Sequence, residues 1–517
     1  MDEAEERTTS EHGSTDGTTP GDTTPGGTTP SDGADPVHDA VVVGGGVAGL
    51  VAARDLAVAG LRPLLVESRV TPGGVVGRHE VDGLRLDAGA ESFATRGGVV
   101  AALADELGLT DRVVTPEPHG AWVRLPHGAG PLPRTGLLGI PADPWAADVR
   151  RTLGAVGSLR AALDRVLPAS VGLRGDAPTL GRLVRARMGS RVLDRLVRPV
   201  VAGVHAAEPD DVSADAVAPG LAAAVRREGS LAGAVAAMRA LAPAGSAVAG
   251  FRGGLHVLVD ALAADLAERG GEVRTGVAVV AVERTDGVFA VRVRDGAAGG
   301  PTQVLRARRL VVATPRAVDL LAGVAPGLAG LHTDPGAEIV LVTLVLDAPE
   351  LDDAPRGTGV LVARGVPGVR AKALTHATAK WGWLAEAAGP GRHVVRLSYG
   401  RAGDDPAAAA LPADLDALTD LARRDASAVL GVPLAASQVR ASARVPWSQG
   451  LPVPSAAHRR TVQQVRVAVA QVPGLAVVGA WVSGNGLASV VPDARATAAA
   501  VAAGAAGAGA ADTPDLP

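Results

Sequence analysis

Gly44, Gly46 and Gly49 stand in the spacing Gly-x-Gly-x-x-Gly directly after the apolar run Val41 to Val43, and Glu67 closes a second apolar run, Leu64 to Val66. Those residue types at that spacing hold a dinucleotide. Gly44 permits the tight turn out of a strand, Gly46 lets the backbone approach a pyrophosphate, and Gly49 allows a helix to pack closely on the strand. The pyrophosphate then sits on free N–H groups at a helix N-terminus, which begins here at Val47 and Ala48. Glu67, followed by Ser68, lies roughly 20 residues on, where an acid takes the ribose hydroxyls and repels a 2′-phosphate. NADP is therefore disfavoured, and the cradle alone leaves NAD and FAD open.

The rest of the composition narrows the chemistry by exclusion. The chain of 517 residues has no cysteine, which removes disulfides, thiolate catalysis and iron–sulfur ligation and fits a reducing compartment. A net charge of -4 gives no electrostatic case for nucleic acid. The histidines lack zinc-type spacing, and no nucleophile has an attendant base, so no metal and no catalytic side chain is nominated. Residues 1–36, rich in Thr, Pro, Gly and Asp, read as a disordered acidic tail without the basic and apolar regions of a signal peptide. No transmembrane span is evident, and a cytoplasmic protein is expected, with peripheral membrane contact left open.

The elements that must position the cradle recur along the chain. Strand-like blocks at Glu272 to Thr275, Val277 to Val282, Leu310 to Ala313 and Leu475 to Val478 each stop at a Gly or Thr-Pro turn, which reads as one sheet system visited three times. Between the visits, 97–247 has helical periodicity, as in Leu180-Leu183-Val184. In 320–440, Ile339-Leu341-Thr343-Val345 and Val395-Leu397-Tyr399 alternate like a half-exposed antiparallel sheet. A substrate pocket is expected where that sheet meets the nucleotide domain.

Further motifs carry a resemblance. Thr71-Pro72-Gly73-Gly74 followed by Asp87-Ala88-Gly89-Ala90-Glu91-Ser92-Phe93 resembles the extended fingerprint of the two-dinucleotide-domain flavoproteins of the amine oxidase superfamily, and it moves the reading from NAD to FAD. The stretch Leu196 to Ser213, the Gly253-Gly254-Leu255 helix opening, Trp447 with Pro452 and His458, and Gly479-Ala480 with Gly484-Asn485-Gly486-Leu487 are similar, in order, to motifs of the protoporphyrinogen and coproporphyrinogen oxidases. Two departures stand out. The family's closing Gly-Val-Gly-Ile-Pro-Asp-Cys is replaced by Gly484-Asn485-Gly486-Leu487-Ala488-Ser489-Val490, and His205 stands where an aromatic is usual.

The resemblance implies an α/β chain with α+β insertions: a Rossmann-like flavoprotein of amine oxidase type with a helical insertion and an antiparallel-sheet substrate domain. On that reading 37–96, 248–319 and 441–508 form a discontinuous FAD-binding domain, 97–247 the helical insertion, 320–440 the substrate domain and 509–517 a flexible end. It assigns flavin contacts to Gly44, Gly46, Val47, Ala48, Gly49, Glu67, Ser68, Gly73, Gly74, Gly89, Ala90, Glu91, Ser92, Val279, Ala313, Trp447, Gly479, Ala480, Gly486, Leu487 and Val490. The implied reaction is a six-electron oxidation of a porphyrinogen in three two-electron steps, with dioxygen as acceptor, hydrogen peroxide as by-product and ferrochelatase as a recipient of product. Arg96, His205 and the chain's two lysines, Lys372 and Lys380, are candidates for the substrate's propionates, each weighed against a solvated-surface or structural role. The soluble bacterial branch favours coproporphyrinogen III. Protoporphyrinogen IX, an amine oxidase or desaturase, and a non-enzymatic prenyl-GTPase escort remain the alternatives.

Overall fold

Five short apolar runs drawn from across the chain pair as one parallel sheet, in the order Glu272–Thr275, Pro63–Glu67, Ala40–Val43, Leu310–Val312 and Leu475–Val477. The computed structural model describes residues 36–504 apart from 134–135, 174–177, 206, 241–246, 297–298, 334–335, 337, 402–403, 406–408 and 448–454, and apart from the side chains of Val204 and His205. The last four of these runs are almost wholly apolar because both faces are covered, as parallel sheets require. On one face the helices Val47–Val58, Val257–Glu268 and Leu487–Ala502 build a core around Leu50, Leu56, Leu258 and Val491. On the other, the antiparallel strands Val277–Thr285, Val288–Asp295 and Thr302–Ala307 and the helix Ala456–Ala470 pack on Val41, Leu64 and Leu310. The three-visit sheet is thus present, with its strands' C-terminal ends meeting at Gly44, Ala313 and Gly479.

A seven-stranded sheet makes the second layer system. Its order is Val439–Trp447, Ile339–Asp347, Arg392–Tyr399, Ala373–His376, Gly359–Val362, Trp122–Leu125 and Gly128–Pro131, antiparallel except where Gly359–Val362 runs parallel to Trp122–Leu125. Membership crosses the sequence boundaries: a hairpin from 97–247 and the start of 441–508 both lie in this sheet. The half-exposed reading is corrected as well. One face packs Val342, Leu397 and Tyr399 under the helix Leu415–Leu430, while Val345 and Val394 on the other meet Val81, Leu84, Leu86 and Trp381. Alternation reported two chemically different faces correctly; the second is covered by a layer that only the tertiary fold supplies.

The helical part of the insertion is organised on one buried ion pair. Arg187 and Asp164 have fully buried side chains, and Arg187 Nε donates to Asp164 Oδ1 at 2.5 Å. The remaining guanidinium hydrogens go to the carbonyls of Pro168, Ala169, Val171, Asp164 and Gly229, and Asp164 Oδ2 accepts the Ala232 N–H, so neither charge is left without partners.

Lys372 is a different case. It is 2% exposed and its ammonium has no hydrogen-bond partner among the described residues. Burial, then the neighbouring Arg401, pulls its pKa from 10.5 down to about 8, against the weaker pull of Asp404. The folded state binds this proton less tightly than the unfolded chain, so stability rises with pH between 8 and 10.5. Lys372→Met should therefore stabilise the protein at pH 7 by up to about 3 kcal/mol, at ~1.4 kcal/mol per pKa unit. Its advantage over wild type should shrink as pH climbs from 8 to 10.5. Chemical denaturation at pH 7 and pH 10 checks this, and a pH-independent difference contradicts it.

Candidate functional site

The first helix of the parallel sheet, Val47–Val58, begins at Gly46 with no side-chain cap. The N–H groups of its first turn are consequently available to an anion, and the helix dipole favours one there. The three glycines differ in what holds them. Gly44 has φ +106°, and a Cβ there would stand 3.2 Å from the Ala313 carbonyl oxygen. A Cβ on Gly49 would overlap the Gly44 carbonyl oxygen. At Gly46 nothing lies within 4 Å of a Cβ's place, so the fold itself does not require glycine there. Gly44 and Gly49 close the turn, and Gly46 keeps open the space beside an uncapped helix end.

The second glycine pair packs on the first loop. Gly73 N donates to Gly45 O at 2.7 Å, and a Cβ on Gly74 would come within 3.3 Å of Gly46 Cα. Glu67, buried at the end of its strand, accepts the Gly45 N–H through Oε2 at 2.6 Å. Its Oε1 accepts the Arg69 N–H at 2.8 Å and the exposed Ser68 hydroxyl at 3.2 Å. Glu67 thus fixes the loop conformation, and its oxygens keep further acceptor capacity for hydroxyls. Val279 sits beside a bulge in its strand, where pairing skips from Val279 to Ala281.

The far side of the cradle is built from distant segments. A Cβ on Gly89 would overlap the Val75 carbonyl oxygen, and Ala90 N donates to that oxygen at 2.7 Å. Trp447 Nε1 donates to Ala88 O at 3.2 Å, with the Arg69 guanidinium 4.7 Å from the indole centroid. Gly479, at φ +124°, turns the last parallel strand into the short helix Ala480–Ser483. Gly486, at φ +99°, starts the helix Leu487–Ala502, again without a side-chain cap and with open space at the Cβ position. Leu487 and Val490 share one core with Val47 and Ala48. Ser92 is half-buried beside this segment, and Pro452 lies outside the described residues.

Glu91 shows how the two sheets are joined. Its carboxylate receives Lys380 Nζ at 2.6 Å on one oxygen and Arg396 Nη2 at 3.0 Å on the other, with all three side chains no more than 16% exposed. Burial alone would raise this carboxyl, but Lys380 and then Arg396 hold it below its usual value. Arg396 also donates to the carbonyls of Asp87 and Gly89 at 3.1 and 2.7 Å. Asp87 accepts the Leu255 and His256 N–H groups in the turn that leads into the helix Val257–Glu268.

Two substrate candidates are therefore corrected. Lys380 is committed to Glu91 and to the face of Trp381, 5.0 Å from its centroid. Lys372 is buried near Arg401, with the strand Ala373–His376 between the two lysines, so their nearness in sequence does not make a cluster. Arg96 is exposed in a glycine-flanked turn and makes no ion pair among the described residues. The His205 side chain lies outside the described residues. Arg396 was missed by sequence reasoning. Its only signal was a lone charge between Val395 and Leu397 in a strand.

A glycine cradle at the carboxyl edge of a parallel sheet, with two uncapped helices in one core and a second sheet locked over it, defines a dinucleotide-dependent oxidoreductase. The chain belongs to the flavin-containing amine oxidoreductases, whose family model matches residues 47–505. It is 30% identical to the coproporphyrinogen III oxidase of Mycobacterium bovis over 465 residues, covering 87% of this chain and 94% of the relative. The Bacillus subtilis protein of that name is 24% identical, over 88% and 96%. A crystal structure from Exiguobacterium, described as a protoporphyrinogen oxidase, matches with a TM-score of 0.75 at 27% identity, covering 91% of this chain and all of that one. Cyclohexylamine oxidase from Brevibacterium oxydans shares the fold, with a TM-score of 0.61 at 17% identity, over 90% and 99% of the two chains. The cofactor is FAD, and the open space at Gly46 beside the uncapped Val47 helix fits its pyrophosphate.

Gly46→Val and Gly49→Val should separate the two uses of glycine. The first should fold with near wild-type stability and purify colourless, whereas the second should lose stability because its side chain overlaps the Gly44 carbonyl. Absorbance near the flavin bands, read with thermal melts of both apo variants, tests this, and stoichiometric flavin in Gly46→Val would overturn the cradle assignment. Glu91→Gln should cost about 3–5 kcal/mol in chemical denaturation, because Lys380 and Arg396 would remain buried beside a neutral group.

Proposed function

We propose that this protein oxidises coproporphyrinogen III to coproporphyrin III in heme biosynthesis, with FAD as cofactor and dioxygen as acceptor. The observation that carries the reading is the run of relatives named coproporphyrinogen III oxidase that align over most of the chain, at 24–30% identity, combined with an intact FAD cradle. FAD, when bound, supplies two-electron oxidation, and three rounds with three molecules of dioxygen account for the six electrons and three molecules of hydrogen peroxide. The chain's own task is to bind, orient and exclude water.

We assign to the flavin Gly46 with the Val47 and Ala48 N–H groups for the pyrophosphate, Glu67 for the ribose, and the Gly89–Ala90 and Gly486–Leu487 backbones at the other end, a reading supported by the uncapped helix ends at Gly46 and Gly486. Substrate carboxylates need cations that the fold has not already neutralised. Arg96 meets that condition, since its planar fork is exposed and outside every ion pair among the described residues. No protein base is assigned to the macrocycle N–H protons. Among the described residues no helix is long and apolar enough to cross a membrane. We place the reaction in the cytoplasm, with ferrochelatase as the enzyme class that would accept the product.

Protoporphyrinogen IX is the second reading, favoured by the description of the Exiguobacterium structure. The two substrates differ in peripheral charge, four propionates against two, so a protein that holds propionates distinguishes them. Wild-type kcat/KM should be higher on coproporphyrinogen III. Arg96→Ala should lower it by about tenfold or more, because one charge-assisted contact in a shielded site contributes about 1.5–3 kcal/mol. The flavin spectrum should not change. Equal wild-type values on both substrates would remove the coproporphyrinogen assignment.

A further inference from the structure

The helix Arg198–His205 lies tightly on the strand Gly359–Val362; a Cβ on Gly203 would stand 2.5 Å from Leu361 Cδ2. At the Arg198 end of this contact a cavity of about 600 Å³ opens between the helical insertion and the seven-stranded sheet. That volume lies inside the roughly 300–1,000 Å³ typical of small-molecule sites. The cavity shares no lining residue with the glycine cradle or with Asp87–Ser92.

Four arginines from three elements line it. Arg151 comes from the helix Ala147–Ala162, Arg195 and Arg198 from the helical run 193–205, and Arg364 from the turn after Gly359–Val362. Their charges are not equally available. Arg198 and Arg364 both pair with Glu208, and each has a further carboxylate, Asp194 at 3.3 Å for Arg198 and Asp404 at 2.6 Å for Arg364. Arg195 donates to the neutral Thr152 carbonyl at 3.0 Å, and Arg151 is exposed with no hydrogen bond or ion pair among the described residues. Among the described residues Asp194 is the one carboxylate on the cavity wall, and it is already paired with Arg198. The wall therefore carries uncompensated positive charge at Arg151 and Arg195, and Leu125, Pro126 and Ala363 give it apolar surface.

A compact anion such as phosphate is held by donors that converge on one point. Cations dispersed around an apolar wall suit a flat, largely apolar molecule with carboxylates on its rim. We propose that this cavity is a second binding site for a polycarboxylate tetrapyrrole, taking the oxidised product with its propionates on Arg151 and Arg195. The choice of ligand rests on the proposed function; the charge and shape of the site do not.

The test is an equilibrium titration of coproporphyrin III onto the full-length holoenzyme, followed by porphyrin fluorescence. Two equivalents are expected for wild type. Arg151→Glu should weaken one of them by about tenfold or more, Arg195→Gln should weaken the same one, and Arg151→Lys should retain it, each binding weakening further as salt rises. Initial-rate kcat/KM should be unchanged in Arg151→Glu. A single equivalent in wild type, or two equivalents insensitive to Arg151→Glu, would overturn the second site. Failure of the proposed function would be read separately, as absence of coproporphyrinogen turnover by wild type, and would leave the titration result standing.

Discussion

The Glu91 carboxylate is the constraint on which the arrangement depends. It follows the second glycine pair, while Arg396 lies in the seven-stranded sheet and Lys380 ends the short helix Ala377–Lys380 that continues one of its strands, and the three charges meet where water is largely excluded. A lone carboxylate there would be strongly unfavourable, and so would either cation. Only together, with the Arg396 bonds to Asp87 and Gly89 carbonyls, is the site satisfied. This makes the relative placement of the two sheets specific in a way that apolar burial alone does not, because a sliding displacement of one sheet would leave charges buried and unpaired. The segment thus held, Asp87 to Ser92, also packs on the Val75 carbonyl just after the second glycine pair, so the same ionic lock ties the glycine loops to the second sheet.

A chain with 2% aromatic residues and no cysteine must obtain such specificity from arginine. Val, Leu and Ala fill the cores densely but make few distinctive shapes. Arginine supplies five donors in a rigid plane and can satisfy several backbone carbonyls at once. Arg187 does this in the helical insertion, where it links Asp164 to carbonyls on two loops, and Arg396 does it at the sheet junction. The cost is that most arginines are already committed. Ligand carboxylates can draw only on those whose charge the fold leaves unneutralised, and Arg96, Arg151 and Arg195 are among them.

What the sequence made legible follows from the same physics. The cradle could be read because its requirements are backbone requirements: Gly44 needs a positive φ and Gly49 cannot carry a side chain, wherever the rest of the chain goes. The parallel strands could be read because burial on both faces leaves unbroken apolar runs. The seven-stranded sheet was half legible. Alternation in Val395-Leu397-Tyr399 identified one buried face, but nothing in the strand marks the face of Arg396 as one that a second layer covers. The two lysines misled for the opposite reason. Rarity in composition and nearness in sequence suggested one site, yet Lys372 is buried near Arg401 and Lys380 reaches across to Glu91.

Lys372 and Glu91 set the limits of what a buried charge does here. Glu91 has two cations and is held ionised; Lys372 has no acceptor among the described residues and is held closer to neutrality. Desolvation acts on both, so the difference lies entirely in partners. Where a partner comes from another layer, a buried charge fixes that layer's position. Where none does, as at Lys372, the charge is a standing cost to stability that other contacts offset. The ionic lock at Glu91 is therefore not a consequence of having charges in the interior but of having them shared between layers, and the relative placement of the layers follows from that sharing.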